Sequence, residues 1–215
     1  MLFNSLSGGF DLSQFLTDVL YLLPALLIGL SFHEFAHAWM AVKMGDDTPR
    51  FMGRLTIDPL KHIDPIGALM LLVAGFGWAK PVIVNPRNYR NYRKGQILVS
   101  IAGVTMNFVL AFLFTAAYAF MVYLNIQSMV AYRIISNIIV VNIVLMVFNL
   151  LPVPPLDGYN LLRGFASHRM YGFFSFCDRY GTWILILFLI SGVGRSIIST
   201  VTGGILSLLL SLFGL

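Results

Sequence analysis

The sequence holds one short motif whose residue types could carry hydrolytic chemistry. His33 and His37 lie four residues apart, and Glu34 directly follows the first of them. On a helix, residues i and i+4 lie on one face, so both imidazoles could bind a single metal ion. Glu34 could then accept a proton from a water molecule that the metal activates. The pattern therefore predicts a hydrolytic zinc site with Glu34 as the general base.

A catalytic zinc site needs a third protein ligand and one open position, and the best candidate for that ligand is Asp157. It lies in NLLPVPPLDGYN, at the end of a charge-free stretch. The three prolines before it prevent a helix from continuing, and Gly158 allows a sharp turn. His62 and His168 lie in basic loops, where a surface or turn role is the simpler interpretation. The alternative for Asp157 is a loop aspartate that caps a helix.

The composition indicates that these motifs lie in a membrane protein. Of the 215 residues, 58% are hydrophobic and 11% are charged, whereas soluble proteins carry about 25% charged residues. A hydrocarbon core of ~30 Å needs ~20 apolar residues in a helix. Long apolar runs predict such helices near Phe15–Val42, Ile97–Leu124 and Ile134–Leu151, and the last two of these runs are free of charge. After Arg179 the chain offers one further span or two, with an interruption around Gly192–Arg195.

Two shorter stretches do not fit this pattern. Gly67–Ala79 is apolar but only thirteen residues long, so it predicts a re-entrant or interfacial segment. Lys80–Asn85 (KPVIVN) is rich in β-branched residues and bounded by prolines, which predicts a short extended, β-like segment. The sequence thus predicts one all-α polytopic membrane domain over residues 1–215, with about four to six transmembrane segments.

The distribution of basic residues predicts the orientation in the membrane. Lys43–Lys94 carries nine Lys or Arg against four Asp, whereas the N-terminal leader carries Asp11 and Asp18 and no basic residue. The positive-inside rule explains the net charge of +5 better than nucleic-acid binding does. It predicts a multi-pass protein of the cell membrane with its N-terminus outside and loops 43–94 and 152–180 in the cytosol. His33–His37 and Asp157 would then meet near the cytosolic side.

In combination and order, these motifs resemble those of the site-2 proteases, intramembrane zinc metalloproteases, in their compact form without a PDZ domain. HEFAH resembles the HExxH motif of that family, and Asn149–Gly158 resembles its N-x-x-P-x-P-x-L-D-G signature. GWAKPVIVNPRNYR and GVTMN, which ends at Asn107, resemble two further landmarks. Val104 and Tyr159 depart from the pattern, since many relatives have proline and a second glycine there. Those departures concern local backbone shape and substrate contacts.

The resemblance implies one zinc ion per chain and assigns its ligands to three residues: His33, His37 and Asp157. It implies Glu34 as the catalytic base. It also implies that Asn149 and Asn107 contact the substrate backbone or help to stabilise an oxyanion. The alternative for each asparagine is an interhelical hydrogen bond.

The implied activity is hydrolysis of peptide bonds in or near the transmembrane segments of single-span membrane proteins, known as regulated intramembrane proteolysis. Lys80–Asn85 could pair with an unwound substrate as an added strand. A metal transporter is one alternative, but it would need ionisable groups on several spans. A zinc-binding pseudo-protease or scaffold is another, but it would not need Glu34, the only glutamate in the chain. Since a carboxylate in hydrocarbon costs ~2.5–3.5 kcal/mol, its presence favours an enzyme.

Overall fold

The structure is a computed structural model that describes residues 11–64, 66, 67, 70 and 80–215, with only the backbone described at positions 168 and 171. Seven α-helices have both ends in this part of the chain: α1 (Leu12–Met44), α2 (Thr48–Phe51), α3 (Tyr92–Tyr123), α4 (Met129–Asn149), α5 (Asp157–Phe165), α6 (Tyr171–Ile190) and α7 (Val193–Leu212). Five of them, namely α1, α3, α4, α6 and α7, are long and apolar enough to cross a membrane. The prediction of an all-α polytopic membrane protein is therefore confirmed.

The C-terminal part of the chain forms two spans. Helix α6 ends at Ile190 and α7 begins at Val193. Gly192, between them, has φ +77°, a backbone conformation that favours glycine. Lys80–Asn85 is irregular, and the described residues contain no β-strand. The predicted re-entrant stretch Gly67–Ala79 lies almost wholly outside the described residues.

Three spans, α1, α3 and α4, pack together to form the part of the molecule that holds the predicted site. Small residues on α1 allow this close packing, because membrane helices associate mainly through van der Waals contact. A Cβ added at Gly29 would lie 2.9 Å from Leu145 Cδ1 on α4. Helix α7 completes the main apolar cluster where Leu209 meets Ile143 and Met146 of α4.

The two long connections lie on the same side of the helix bundle. The segment after α1 returns to where that helix ended, because Arg90 N donates to Met44 O at 2.8 Å. Successive spans alternate in direction, so the connection between α4 and α6 also lies on this side. The ends of α1 and α4 that carry the predicted ligands are thereby brought together.

The proline-rich connection positions Asp157 beside the histidines as predicted. Glycine is needed at position 158, however, for a reason other than the predicted sharp turn. Helix α4 ends at Asn149, and Asp157 is the first residue of α5, so the chain does not turn sharply at Gly158. A Cβ added at Gly158 would lie 2.2 Å from Leu150 O. The glycine is needed because α5 packs against the backbone that ends α4.

Candidate metal centre

The structure brings His33, His37 and Asp157 together. Both histidines lie on the buried face of α1, and Asp157 begins α5 beside them. The two Nε2 atoms lie 3.0 Å apart. Asp157 Oδ2 lies 3.2 Å from His33 Nε2 and 3.1 Å from His37 Nε2. Two histidines one helical turn apart and a carboxylate 120 positions further along the chain thus converge on one point.

The other ring nitrogen of His37 fixes its tautomer. His37 Nδ1 lies 2.8 Å from the carbonyl oxygen of Val99 on α3. A carbonyl oxygen only accepts hydrogen bonds, so Nδ1 carries the proton and donates it. In a neutral imidazole the Nε2 atom then has a free lone pair, and it points towards Asp157.

His33 is held in the same tautomer by a side chain. Its Nδ1 lies 2.6 Å from Asn107 Oδ1, and Asn107 Nδ2 donates to Gly29 O at 3.1 Å. Since Gly29 O can only accept, the amide of Asn107 must present its nitrogen there and its oxygen to His33. His33 Nδ1 is therefore the donor in this contact. Its Nε2, like that of His37, has a free lone pair directed into the centre.

Three electron-rich atoms consequently face one another with no donor between them. With both imidazoles neutral this arrangement is unfavourable, and either a metal ion or a proton on one imidazole would relieve it. Tetrahedral zinc with bonds of ~2.0–2.1 Å would separate neighbouring ligand atoms by about 3.3–3.4 Å, close to the 3.0–3.2 Å observed. A Cβ added at Gly103 would lie only 2.4 Å from His37 Nε2, so the bare backbone of α3 leaves room beside the imidazoles. The residues present fit a zinc ion.

Glu34 lies outside this triad, as a base should. Its carboxylate is not part of the group of possible metal ligands among the described residues. Instead, Glu34 Oε2 accepts a hydrogen bond of 2.8 Å from the backbone N–H of Val82. The irregular segment Lys80–Asn85 therefore lies against the predicted base.

The remaining predicted site residues occupy different surroundings. Asn107 is fully buried, and its amide contacts His33, Gly29 and Asn142. Asn149 is partly buried and donates to Leu145 O at 3.0 Å, within its own helix. Their roles towards a substrate stay predictions. His62 is buried rather than on the surface, and its Nε2 donates to Thr56 O at 2.8 Å, so it stabilises a turn. The side chain at position 168 lies outside the described residues.

Asp46 is a residue that sequence reasoning missed. It is fully buried just beyond α1 and accepts hydrogen bonds from Asn85 N at 2.6 Å and Asn88 Nδ2 at 2.8 Å, as well as from Thr48. Burial alone would raise the pKa of its carboxyl, but these hydrogen bonds lower it below the usual value. Asp46 thus anchors the far end of the segment whose other end contacts Glu34. The sequence around Asp46, which directly precedes Asp47, contains no pattern that indicates this role.

The chain is similar in sequence to several known proteins. A protein of Bacillus subtilis (strain 168), named "Putative zinc metalloprotease YwhC", is 37% identical over 183 residues, which are 83% of this chain and 84% of that protein. "Putative zinc metalloprotease Rip2" of Mycobacterium tuberculosis (strain ATCC 25618 / H37Rv) is 34% identical over 141 residues. Its namesake in Mycolicibacterium smegmatis (strain ATCC 700084 / mc(2)155) is 29% identical over 170 residues.

The extent of the match differs between these relatives. The chain spans 54% of the length of the Mycobacterium tuberculosis protein and 64% of the Mycolicibacterium protein, with 64% and 77% of its own residues aligned. No solved structure matches the chain. No family model matches it either.

Fold and site together define a multi-pass membrane protein with a candidate centre of two imidazoles and a carboxylate. The similarity to the Bacillus protein covers most of both chains. The chain belongs to the family of zinc metalloproteases that includes that protein.

Proposed function

We propose that the chain is an intramembrane zinc endopeptidase of the site-2 protease type, in which the HExxH motif supplies two zinc ligands and the base. The ligands would be His33, His37 and Asp157. The observation that carries this proposal is the convergence of three lone-pair-bearing atoms at 3.0–3.2 Å. A proton on one imidazole would also reduce their repulsion, but the three near-equal distances suit a metal ion better.

A zinc ion in this place would lower the pKa of a water molecule and polarise the carbonyl of a peptide bond. Glu34 would accept the proton of that water and pass it to the leaving amine. The amide of Val82 holds Glu34 Oε2, and Oε1 forms no hydrogen bond with the described residues, so Oε1 is free to receive a proton. The hydrogen bond from Val82 thereby orients the base without occupying both oxygens.

Lys80–Asn85 supports the proposal that the substrate is bound in an extended form. The backbone N–H groups of Ile83 and Val84 form no hydrogen bond with the residues that the structure describes. Ile83 is also exposed. An unwound segment of a single-span membrane protein could pair with this backbone as an added strand. Because the same segment contacts Glu34, a peptide bond held there would lie beside the base.

The position of the centre supports a membrane-embedded substrate. His33 and His37 are inside the first span, and Asp157 follows the third. We propose that the protein lies in the cell membrane with the N-terminus outside and the long connections in the cytosol, as the basic residues suggest. A transporter is not favoured, since the sequence has no charged residue between Lys94 and Arg133 or between Arg133 and Asp157.

The test uses the full chain purified in detergent and a model single-span membrane substrate. Wild type should contain one zinc ion per chain and cleave the substrate. Glu34→Gln should keep that zinc content but lose cleavage by at least the ~10²–10⁴-fold expected for a general base. Asp157→Ala should lose zinc as well as cleavage.

Three other results would contradict the proposal. Cleavage of the substrate by Glu34→Gln would show that Glu34 is not the catalytic base. Uptake of zinc into proteoliposomes by both wild type and Glu34→Gln would indicate a transporter. A protein that binds zinc and a membrane partner but cleaves nothing in either form would be a pseudo-protease.

A further inference from the structure

A chain of buried hydrogen bonds runs from the metal centre through three membrane spans. His33 Nδ1 on α1 donates to Asn107 Oδ1 on α3 at 2.6 Å. Asn107 Nδ2 donates to Asn142 Oδ1 on α4 at 2.9 Å. Asn142 Nδ2 in turn donates to Ile138 O of its own helix at 2.8 Å. Both asparagines are 0% exposed.

Two backbone carbonyls set the direction of every bond in this chain. Ile138 O can only accept, so Asn142 turns its amide nitrogen to that carbonyl and its oxygen to Asn107. Gly29 O and Asn142 Oδ1 are then two acceptors that both require the nitrogen of Asn107. Flipping the Asn107 amide would place its oxygen against both acceptors at once. The oxygen of Asn107 is therefore fixed towards His33.

From this geometry we infer that Asn142 is a positioning residue for the metal centre: together with Gly29 O it locks Asn107, which holds His33 in the tautomer whose Nε2 is free to bind zinc. The inference rests on the proposed zinc site and extends it to a residue that lies in neither motif. Partners that orient a metal-binding histidine contribute to metal affinity, because an imidazole that is free to rotate or change tautomer binds less well.

A purely structural role for Asn142 would be an interhelical hydrogen bond of modest strength. The same helix contains an asparagine with that role. Asn137 Nδ2 donates to Tyr21 O of α1 at 3.0 Å, away from the centre. Asn137 and Asn142 have the same chemistry on the same helix, and both link it to a neighbouring span. Only Asn142 is connected to His33, so Asn137 provides a matched control.

The experiment compares Asn142→Leu, Asn137→Leu and Asn142→Asp with wild type. Each full-length protein is titrated with zinc against a chromophoric chelator to obtain the Kd, and its thermal unfolding is recorded. Asn142→Leu should weaken zinc binding by about tenfold, the lower end of the ~10–100-fold seen for outer partners of metal ligands. Asn137→Leu should leave the Kd unchanged even where it lowers the unfolding temperature. Asn142→Asp, buried in the membrane and therefore protonated, can donate its O–H to Ile138 O and accept from Asn107, so it should bind zinc nearly as wild type does.

Each outcome decides a different point. If wild type binds zinc but Asn142→Leu has the same Kd, the positioning role is wrong while the proposed function stands. If both leucine variants weaken zinc binding equally, Asn142 acts only through helix packing and the inference also fails. If wild type holds no zinc, the proposed function itself falls. Should Asn142→Leu not fold, Asn142→Ala replaces it, because alanine is smaller than asparagine and cannot clash with Gly29.

Discussion

The contact between α1 and its neighbours has two polar ends that differ in how their donors and acceptors are balanced. At the distal end, Asp18 pairs with Arg133, whose guanidinium also stacks on Tyr21, and Asn137 donates to Tyr21 O. Every polar group named there has a complementary partner. At the metal end, the Nε2 atoms of two histidines and an oxygen of Asp157 face one another as acceptors.

This difference separates polar groups that hold helices together from polar groups that bind something else. A balanced set of donors and acceptors needs no further component, as at the distal end. An excess of acceptors in a buried place is unfavourable unless a cation joins them. The two ends also differ in exposure, since the side chains of Arg133 and Asp18 are 46% and 33% exposed whereas the two histidines are buried. Each prediction below alters one end, or the segment beside it, and measures the effect on zinc binding or cleavage.

The largest effect is expected from Gly103→Ala, which fills the space beside the metal end. The added Cβ would lie 2.4 Å from His37 Nε2 and 2.6 Å from His33 Cε1, so the imidazoles must move apart. Catalytic sites tolerate misplacement of about 1 Å only with losses near 10²-fold. We expect zinc content to fall below measurable stoichiometry and cleavage to disappear with it, as measured by metal analysis of the purified protein.

Gly203→Ala on α7 is the control for this change. A Cβ at Gly203 meets nothing within 4 Å among the described residues, and alanine favours a helix more than glycine does. This variant should keep wild-type zinc content. Full zinc occupancy in Gly103→Ala would show that the centre does not lie against this stretch of α3.

A smaller effect is expected from Asp46→Asn, which tests whether the metal end also depends on the segment beside it. An asparagine cannot accept from Thr48, Asn85 and Asn88 together without turning its own amide hydrogens towards one of these donors. Hydrogen bonds to a buried charged group contribute about 1.5–3 kcal/mol, so the segment should open about 10–150-fold more often. Faster hydrogen exchange of the Asn85 and Val82 amides would report this opening, with reduced cleavage and unchanged zinc content.

Asp47→Asn is the matched control, because Asp47 is half-exposed and pairs only with Arg50 among the described residues. It should alter neither exchange nor cleavage.

The anchoring of the segment by Asp46 should also depend on pH. The folded pKa of Asp46 is lowered, so its contribution is fully present above the unfolded value of ~3.9 and is lost as the pH falls through the folded value. A protection factor at the Asn85 amide, corrected for the pH dependence of intrinsic exchange, that does not fall on acidification below about pH 4 would contradict the anchoring role.

Much of the metal end could be predicted from sequence because its ligands come from local rules. The i, i+4 spacing places His33 and His37 on one face of a helix, and the prolines before Asp157 end the preceding helix. The structure brings these three residues together. The spans follow from long apolar runs with few charges, and the division of the C-terminal part into α6 and α7 was left open. Gly158 was interpreted as a turn residue, although its necessity comes from the carbonyl of Leu150.

The supporting residues could not be predicted in the same way, because their roles depend on contacts between distant segments. Asp46 contacts Asn85 and Asn88, about forty positions away, and no local pattern marks it. For Asn142 the sequence gives a weaker indication than it gives for the metal ligands. An asparagine inside a charge-free span usually faces another helix, but which helix it faces follows only from the packing of α1, α3 and α4.

The smallest effect is expected from Arg133→Leu at the distal end. It removes the ion pair with Asp18 and the contact with the ring of Tyr21. Partly exposed ion pairs contribute about 0–1 kcal/mol, so the unfolding temperature should fall by no more than about 4 °C. Zinc content and cleavage should stay at wild-type levels. Arg195→Leu, which removes an arginine with no ion-pair partner among the described residues, serves as the control for loss of charge alone. If Arg133→Leu reduced zinc occupancy while Arg195→Leu did not, the two ends would be coupled through α1 and α4, and the distal end could not be regarded as packing alone.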